Sequence, residues 1–316
     1  MSVEVSVVCN AYNHEKYIRS ALDGFVMQKT TFPFEVLVHD DASTDRTAEI
    51  IREYEIKYPD IIKPIYSTEN QYSKNDGSLS RIQYGRVQGK YIALCEGDDY
   101  WTDPLKLQKQ YDLLESHPEI DMCATAAKTE RNGEIVGRIA PASEKVIFST
   151  EEVILGGGGF VATASLMYRT NVRKEALPFF DVIRLDFTTQ IAGSLRGGML
   201  YIPEESCVYR LSTQGSWTSR MAGKLDKQKA HAKLVEKMLM CFDEDTMGKY
   251  HNAIMKKIQK NHFSESVIQR DYRTICAKEN DELLREVSIL KRLFFRFGSC
   301  FPKVADCIWD MIHKER

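Results

Sequence analysis

Apolar positions in the first hundred residues alternate between two periods. Val3–Val8 is a short β-branched run, too compact for a helix and suited to a strand buried on both faces. After the polar turn Asn10–His14, Ile18, Ala21, Leu22, Phe25 and Val26 recur at helical spacing within Glu15–Gln28. Phe34–His39 reads as a second strand. Ser43–Asp45 then supplies cap candidates for a helix reaching Tyr58, with Thr47, Ile50, Ile51 and Tyr54 on one face. A third strand over Ile61–Tyr66, a helix over Leu79–Val87 and a fourth strand over Tyr91–Cys95 follow, the last running directly into Glu96-Gly97-Asp98-Asp99. Asp103-Pro104 opens the next helix, a cap residue followed by proline at the first helical position, and His117-Pro118 closes it. Strand and helix alternating in this way predict an α/β fold, a mostly parallel central sheet flanked by helices.

The middle of the chain is mixed. Ile120–Thr129 and Glu134–Ile139 flank Asn132-Gly133, a good hairpin turn pair. Ser149-Thr150-Glu151-Glu152 has capping-box spacing before a short helix that Gly156–Gly159 ends. Phe160–Arg169 reads as extended, Leu185–Leu195 as helical, and Met199–Ile202 and Ser206–Leu211 as extended again. From about Ser219 long Lys-, Met- and Leu-rich helical patterns run to the end. The expected organisation is therefore a first domain over 1–217 and a helical C-terminal region over 218–316.

Composition removes several function classes. The 316 residues are 43% hydrophobic and 28% charged, enough for a sizeable core. Lys+Arg 43 against Asp+Glu 45 gives a net charge of −2, so nucleic acid is not an expected partner. No apolar run approaches the roughly 18 residues of a membrane-spanning helix. The start, Met1-Ser2-Val3-Glu4, lacks the basic and apolar stretches of a signal peptide. The 8 cysteines form no CxxC pair, which supports neither a zinc site nor a disulfide framework. A reduced, cytoplasmic protein is expected.

Ligands of open parallel sheets bind outside the carboxyl ends of the strands. Three polar clusters occupy such positions: Asn10–His14, Asp40–Asp45 and Glu96–Asp99. Three carboxylates within four residues repel one another unless a cation or donors compensate. Mg²⁺ or Mn²⁺, which takes one or two carboxylates plus substrate phosphates, suits Glu96, Asp98 and Asp99. The competing reading is a solvated acidic turn capping the next helix. Asp40 stands where a carboxylate can accept a base N–H, while Asp41 can equally order its own turn. The Gly156–Gly159 run is no phosphate loop, because no Lys-Ser/Thr follows it.

Val5–Val8 through Ala11-Tyr12-Asn13, then Val38-His39-Asp40-Asp41-Ala42-Ser43-Thr44-Asp45, then Gly89-Lys90-Tyr91-Ile92-Ala93-Leu94-Cys95-Glu96-Gly97-Asp98-Asp99-Tyr100-Trp101 resemble the family-2 glycosyltransferases of GT-A fold. Within that family the chain looks like the bacterial branch whose metal motif reads Glu-Gly-Asp-Asp-Tyr-Trp. The resemblance spans roughly residues 3–217. It implies a nucleotide-sugar donor, usually a UDP-sugar, a saccharide or lipid-linked glycan acceptor, and Mn²⁺ or Mg²⁺. It assigns Tyr12, Asn13, Asp40 and Asp41 to the nucleotide. Glu96 falls near the ribose and Asp98 is the direct metal ligand, with Asp99 able to join either role. Asp186, in Leu185-Asp186-Phe187, matches the acceptor base. Tyr209-Arg210 matches a Tyr-Arg element, and Trp217, in Gln214-Gly215-Ser216-Trp217, the segment near the diphosphate. Three departures stand out: Asn10 replaces a proline, Glu96 replaces the commoner aspartate, and Ser212 stands where many relatives carry a histidine.

An inverting transfer in bacterial surface polysaccharide synthesis is what the resemblance implies. A sugar-phosphate nucleotidyltransferase would also pair an α/β sheet with acidic metal ligands, but its first turn would be glycine-rich and basic. An inactive nucleotide-sugar-binding module is the remaining alternative. An oxidoreductase is disfavoured because the first turn lacks GxGxxG. In the tail, Leu284–Lys303 carries five basic residues and one acidic residue among Leu290, Leu293, Phe294, Phe295, Phe297 and Phe301. That mixture suits a peripheral contact with the inner face of a membrane, and equally packing on the first domain or in a homodimer.

Overall fold

The computed structural model describes residues 2–183, 185–213 and 223–313. The chain divides into two compact units, Met1–Lys224 and Leu225–Arg316. The boundary expected near residue 218 lies outside the described residues, as does Trp217.

The first unit is built on one sheet. Its opening strands are β1 (Val5–Ala11), β2 (Phe34–Asp40), β3 (Ile62–Tyr66) and β4 (Tyr91–Leu94), joined through α1 (Ile18–Val26), α2 (Thr47–Lys57) and α3 (Ser78–Tyr84). They pair in the order β3-β2-β1-β4, all parallel, as β-branched strands separated by helices should. Val5, Val7, Val36 and Val38 are fully buried with Ile18, Leu22 and Phe25 of α1, which sets the carboxyl ends of these strands side by side.

Beyond β4 the sheet becomes mixed. β5 (Tyr100–Trp101), α4 (Lys106–Glu115), β6 (Met122–Arg131), β7 (Glu134–Ile139), β8 (Val146–Phe148), α5 (Thr150–Gly156), β9 (Met167–Arg169), α6 (Asn171–Lys174), α7 (Asp186–Ser194) and β10 (Met199–Arg210) complete the unit. β9 lies antiparallel to β4 and β6, while β10 runs parallel to β6. The β6–β7 hairpin turns at Asn132 (φ 53°) and Gly133 (φ 86°), the left-handed pair its sequence calls for. The Ser149 capping box is formed in full.

Two expectations change in detail. Phe160–Arg169 is extended only at its end, because a 3₁₀ turn over Thr163–Ser165 presents the Ala164 carbonyl to the Trp101 indole N–H at 2.9 Å. The two extended runs near residue 200 form a single strand, β10, whose register slips between Ile202 and Cys207. Pro203, which has no N–H to give, sits in that irregular stretch.

The second unit is helical: Leu225–Asp245, His251–Gln269, Tyr272–Ile275, Asp281–Glu286, Ile289–Cys300 and Pro302–His313. One of its cores gathers Phe263, Tyr272, Ile275, Leu283, Leu284, Phe295 and Ala305. Among the described residues no helix is long and apolar enough to cross a membrane.

Candidate active site

The turns after β1 and β2 are tied to each other. Ala11 pairs with Asp40, and the Asp41 N–H bonds the Ala11 carbonyl at 2.9 Å. Asn13 donates its N–H to Ser43 Oγ (3.0 Å), and Asn13 Oδ1 accepts the Thr44 N–H (2.8 Å). The His14 N–H reaches Thr47 Oγ1 (2.8 Å), and the Glu15 N–H reaches Asp45 Oδ2 (3.0 Å). Asp45 Oδ1 also takes the Thr47 N–H at 2.9 Å. Burial alone would push the Asp45 carboxyl up; the bonds from Thr47 and Glu15 outweigh it and hold it below its usual range. Asn13 (φ 56°) and Ala42 (φ 62°) occupy the left-handed region, conformations these cross-bonds maintain.

Asp40 and Asp41 face different ways. Asp40 is 3% exposed and its Oδ1 has no partner. Burial raises its carboxyl, countered in part by hydrogen bonds from Ser43. Both Asp41 oxygens, in contrast, accept backbone N–H groups, Oδ1 from Gln71 (2.7 Å) and Oδ2 from Tyr72 (2.9 Å). Asp41 thus orders the loop after β3. Tyr12 is exposed beside them.

The acidic turn after β4 crosses the end of β1. The Gly97 N–H bonds the Asn10 carbonyl at 2.8 Å, and a Cβ on Gly97 would stand 2.9 Å from His14 Nδ1 and 3.1 Å from Ala11 Cβ. Only glycine permits that approach. The three carboxylates diverge from it. Glu96 Oε1 accepts Asn10 Nδ2 at 3.3 Å; burial first, then the charges of Asp186 and Asp98, push this carboxyl up to about 8. Asp98 Oδ2 accepts the Thr213 hydroxyl at 2.7 Å, and its carbonyl accepts Arg210 Nη1 at 2.8 Å. Asp99 is buried, its Oδ1 taking the Arg210 N–H at 2.8 Å, and burial followed by Asp98 raises it well above the usual range. Arg210 is fixed in turn by Glu130 (Nε to Oε1, 2.9 Å) and by the Tyr100 ring 4.3 Å below it. Asp99 is therefore a brace against β10, while Asp98 is the more open of the two.

Asp186 is the first residue of α7, where a carboxylate suits the helix dipole. It does not cap the helix: Leu185 holds the cap position, and the Asp186 carboxylate instead accepts the Thr163 hydroxyl. The Asp186 side chain is exposed. Desolvation raises its carboxyl, and the Thr163 bond opposes the rise. Because Asp186 is the leading charge acting on Glu96, the two acids from opposite halves of the sheet share one locale.

Among the expected residues, Tyr12, Asn13 and Asp40 thus lie on the β1–β2 edge, with Glu96, Asp98, Asp99 and Asp186 gathered around the end of β4. Thr163 and Thr213 escaped the sequence reading, and His14 entered it only as part of the cluster Asn10–His14. His14 Nδ1 is buried without a partner, and burial lowers its pKa despite Asp98 and Asp45 nearby. Thr163 and Thr213 stand far from Asp186 and Asp98 in sequence, in stretches without periodicity, so no local signal marked them.

No group of three or more His, Cys, Asp or Glu among the described residues encloses a metal ion. The donor set nevertheless fits a hard divalent cation that completes its shell with phosphate oxygens. Glu96 and Asp99, whose carboxyls burial raises, flank Asp98, and a divalent cation at Asp98 would favour their charged forms.

Comparison with known proteins bears on this geometry. Residues 6–174 match the family model described as glycosyl transferase family 2. An uncharacterised protein of Mycobacterium tuberculosis is 38% identical over 218 residues, 68% of this chain and 61% of its own. The UDP-Glc:alpha-D-GlcNAc-diphosphoundecaprenol beta-1,3-glucosyltransferase of Escherichia coli is 26% identical over 182 residues, 56% of this chain and 65% of its own. This chain therefore spans a little under two thirds of these relatives. Among solved structures, S. aureus TarS 1–349 in complex with UDP-GlcNAc superposes with a TM-score of 0.64 at 17% identity, covering 94% of this chain and 79% of TarS 1–349. At that identity the likeness is one of fold.

Proposed function

Because this chain belongs to glycosyl transferase family 2, we propose that it transfers a hexosyl group from a nucleotide-sugar, a UDP-sugar, to a hydroxyl of a saccharide or lipid-linked glycan, in the synthesis of a bacterial surface polysaccharide. The observation that supports this reading is the acidic turn Glu96–Asp99, held against the end of β1 by the Gly97 N–H bond to the Asn10 carbonyl, with Asp98 the most open of its carboxylates and Asp186 the leading charge on Glu96.

Each residue then has a task. The exposed Tyr12 ring stacks on the nucleobase, and the unpartnered Asp40 Oδ1 accepts a base N–H. Asn13 and Asp41 hold the walls of that pocket through their backbone bonds. Glu96 faces the ribose. Asp98, braced by Asp99 through Arg210, would hold a divalent cation, Mn²⁺ or Mg²⁺. When bound, that ion supplies Lewis-acid stabilisation of charge on the leaving group. Trp217 belongs near the diphosphate by resemblance alone.

Asp186 takes the proton from the acceptor hydroxyl. The freed oxygen attacks the anomeric carbon from the side opposite the diphosphate, the carbon–oxygen bond to the donor breaks, and the nucleoside diphosphate leaves. One displacement inverts the anomeric centre. A base in this role contributes typically ~10²–10⁴-fold in rate. Such a reaction on a lipid-linked acceptor suits the cytoplasmic face of a membrane.

The deciding experiment incubates the protein with UDP-, GDP- and dTDP-sugars, Mn²⁺ and simple saccharide acceptors, and identifies the released product. Nucleoside diphosphate with a product of inverted configuration supports the reading. Pyrophosphate release marks a nucleotidyltransferase. Metal-dependent donor binding without hydrolysis or transfer marks an inactive binding module.

A further inference from the structure

The last two helices of the second unit carry apolar side chains on both faces. On the helix Ile289–Cys300, Phe295 and Gly298 face inward; a Cβ on Gly298 would lie 2.6 Å from the Tyr272 ring. On the other side Ile289, Leu290 and Leu293 are 71%, 80% and 58% exposed, and Phe297 continues the stripe. On the helix Pro302–His313, Val304 and Met311 lie seven residues apart on one face, while Ile312 follows the Ala305 face near the helix end. Ala305 is fully buried, while Val304, Met311 and Ile312 are exposed. The Phe297 and Phe301 rings, 5.3 Å apart, bridge the two outer stripes.

Lys291, Arg296 and Lys303 are exposed. The acids of the second helix are paired and partly exposed: Asp310 accepts Arg270 Nη2 at 2.6 Å, and Asp306 accepts the Tyr272 hydroxyl at 3.0 Å. Leu284–Lys303 contains five basic residues (Arg285, Lys291, Arg292, Arg296 and Lys303) and one acid, Glu286, in a chain whose net charge is −2.

We propose that this helical pair is a docking surface for an anionic lipid bilayer, its outer stripes lying at the headgroup boundary and its basic residues against the lipid phosphates. The pair fits that surface in three respects. Neither helix can span a bilayer, which leaves lying in the interface. The basic residues complement anionic headgroups, each contributing about fivefold in affinity near such a surface. The Phe297 and Phe301 rings carry the stripe from one helix to the other, and aromatic rings suit the headgroup boundary. The docking surface goes beyond the transfer reaction and stands or falls without it.

Vesicle co-sedimentation of the whole chain tests the proposal. Phosphatidylglycerol-containing vesicles should retain it at least roughly tenfold more than phosphatidylcholine alone, and high salt should cut that retention. Leu293→Asp with Phe297→Asp, both at exposed positions, should abolish retention without moving the melting temperature. Arg296→Glu with Lys303→Glu should remove the preference for anionic lipid. Absence of the intact protein from anionic vesicles at low salt overturns the proposal. So does equal retention of the Asp variant. A dimer in solution that the Asp variant dissolves, with no vesicle binding, assigns the surface to a second copy instead. Transferase activity on a soluble acceptor should be unchanged in both variants, which separates this question from the catalytic one.

Discussion

Asn10 Oδ1, His14 Nδ1 and Asp40 Oδ1 are buried at the strand ends of the first unit without hydrogen-bond partners, whereas the second unit exposes Ile289, Leu290 and Leu293 to water. The first unit exposes some apolar side chains too, Ile56 and Ile147 among them, but its unmet polar atoms gather at the strand ends. The second pairs Asp306 and Asp310 and leaves a continuous apolar stripe unmet. A buried polar atom without a partner costs about 1–3 kcal/mol, so a group of them at one sheet edge marks where a polar ligand belongs. An uncovered apolar stripe marks a place where a protein or a membrane can dock, and its basic residues are what the proposed bilayer contact uses. What each unit lacks describes what it meets.

The largest effect should come from the acid at the seam between the two halves of the sheet. Asp186→Asn should reduce turnover by about 10²–10⁴-fold while donor affinity, read by titration, stays the same. Its pH dependence has a definite sign. A base works deprotonated, so turnover falls as pH drops through a carboxyl pKa already raised by desolvation. Thr163→Val removes the bond that opposes this rise, so the acid limb of the profile should move to higher pH. An unmoved limb would mean that Asp186 is not the titrating base.

Next in size is a cut into the helical core. Phe295→Ala should cost about 3–5 kcal/mol locally and speed amide exchange over 263–305, leaving the amides of β1, β2 and β4 protected. If both units loosen together they unfold as one, and contrasting them loses its basis. Gly97→Ala is a smaller perturbation of the ligand edge. The new methyl meets His14 and Ala11, at a cost of about 1–3 kcal/mol, and donor binding should weaken with it. Unchanged melting and affinity would mean that the turn relaxes freely.

Much of this was readable from the chain. Parallel strands with intervening helices leave a period change at each boundary, and Val5–Val8, Phe34–His39 and Tyr91–Leu94 carry it plainly. Asn132-Gly133 and Ser149–Glu152 announce their turn and cap because the chemistry is local. The mixed half of the sheet was harder. β9 is only three residues long, and the bulge at Pro203 splits β10 into two apparent strands. In the site, residues within a strand-end cluster could be singled out, but Thr163, Thr213 and the Arg210 brace depend on approaches between distant segments. Asp41 shows the limit from the other side. Its position beside Asp40 suggests a ligand contact, yet the backbone of residues 71 and 72 takes both its oxygens.

The smallest effect provides the control. Lys106 is a buried polar residue of the first unit that does have partners, Gln110 Oε1 at 2.7 Å and the Trp101 face at 4.4 Å. Burial lowers its amine to about 8 from an ordinary 10.5. Between those values the unfolded chain holds a proton that the folded chain does not, so stability should rise with pH by about 1 kcal/mol per unit. Lys106→Met should flatten that slope in denaturant titrations and leave donor affinity intact. A loss of donor affinity would show that partnered groups matter at the ligand edge as well.

The cross-bonds between the turns after β1 and β2 carry a thermodynamic signature of their own. Asn13, Asp45 and Thr47 already fix both loops, so a nucleotide bound there as proposed would find little chain left to immobilise. Binding at that edge should proceed with a small heat-capacity change and an association rate insensitive to viscogens that slow loop motion. Ser43→Ala or Asp45→Ala, by freeing the loops, should turn the same association into one with a large unfavourable entropy, visible by calorimetry as a trade of affinity for disorder.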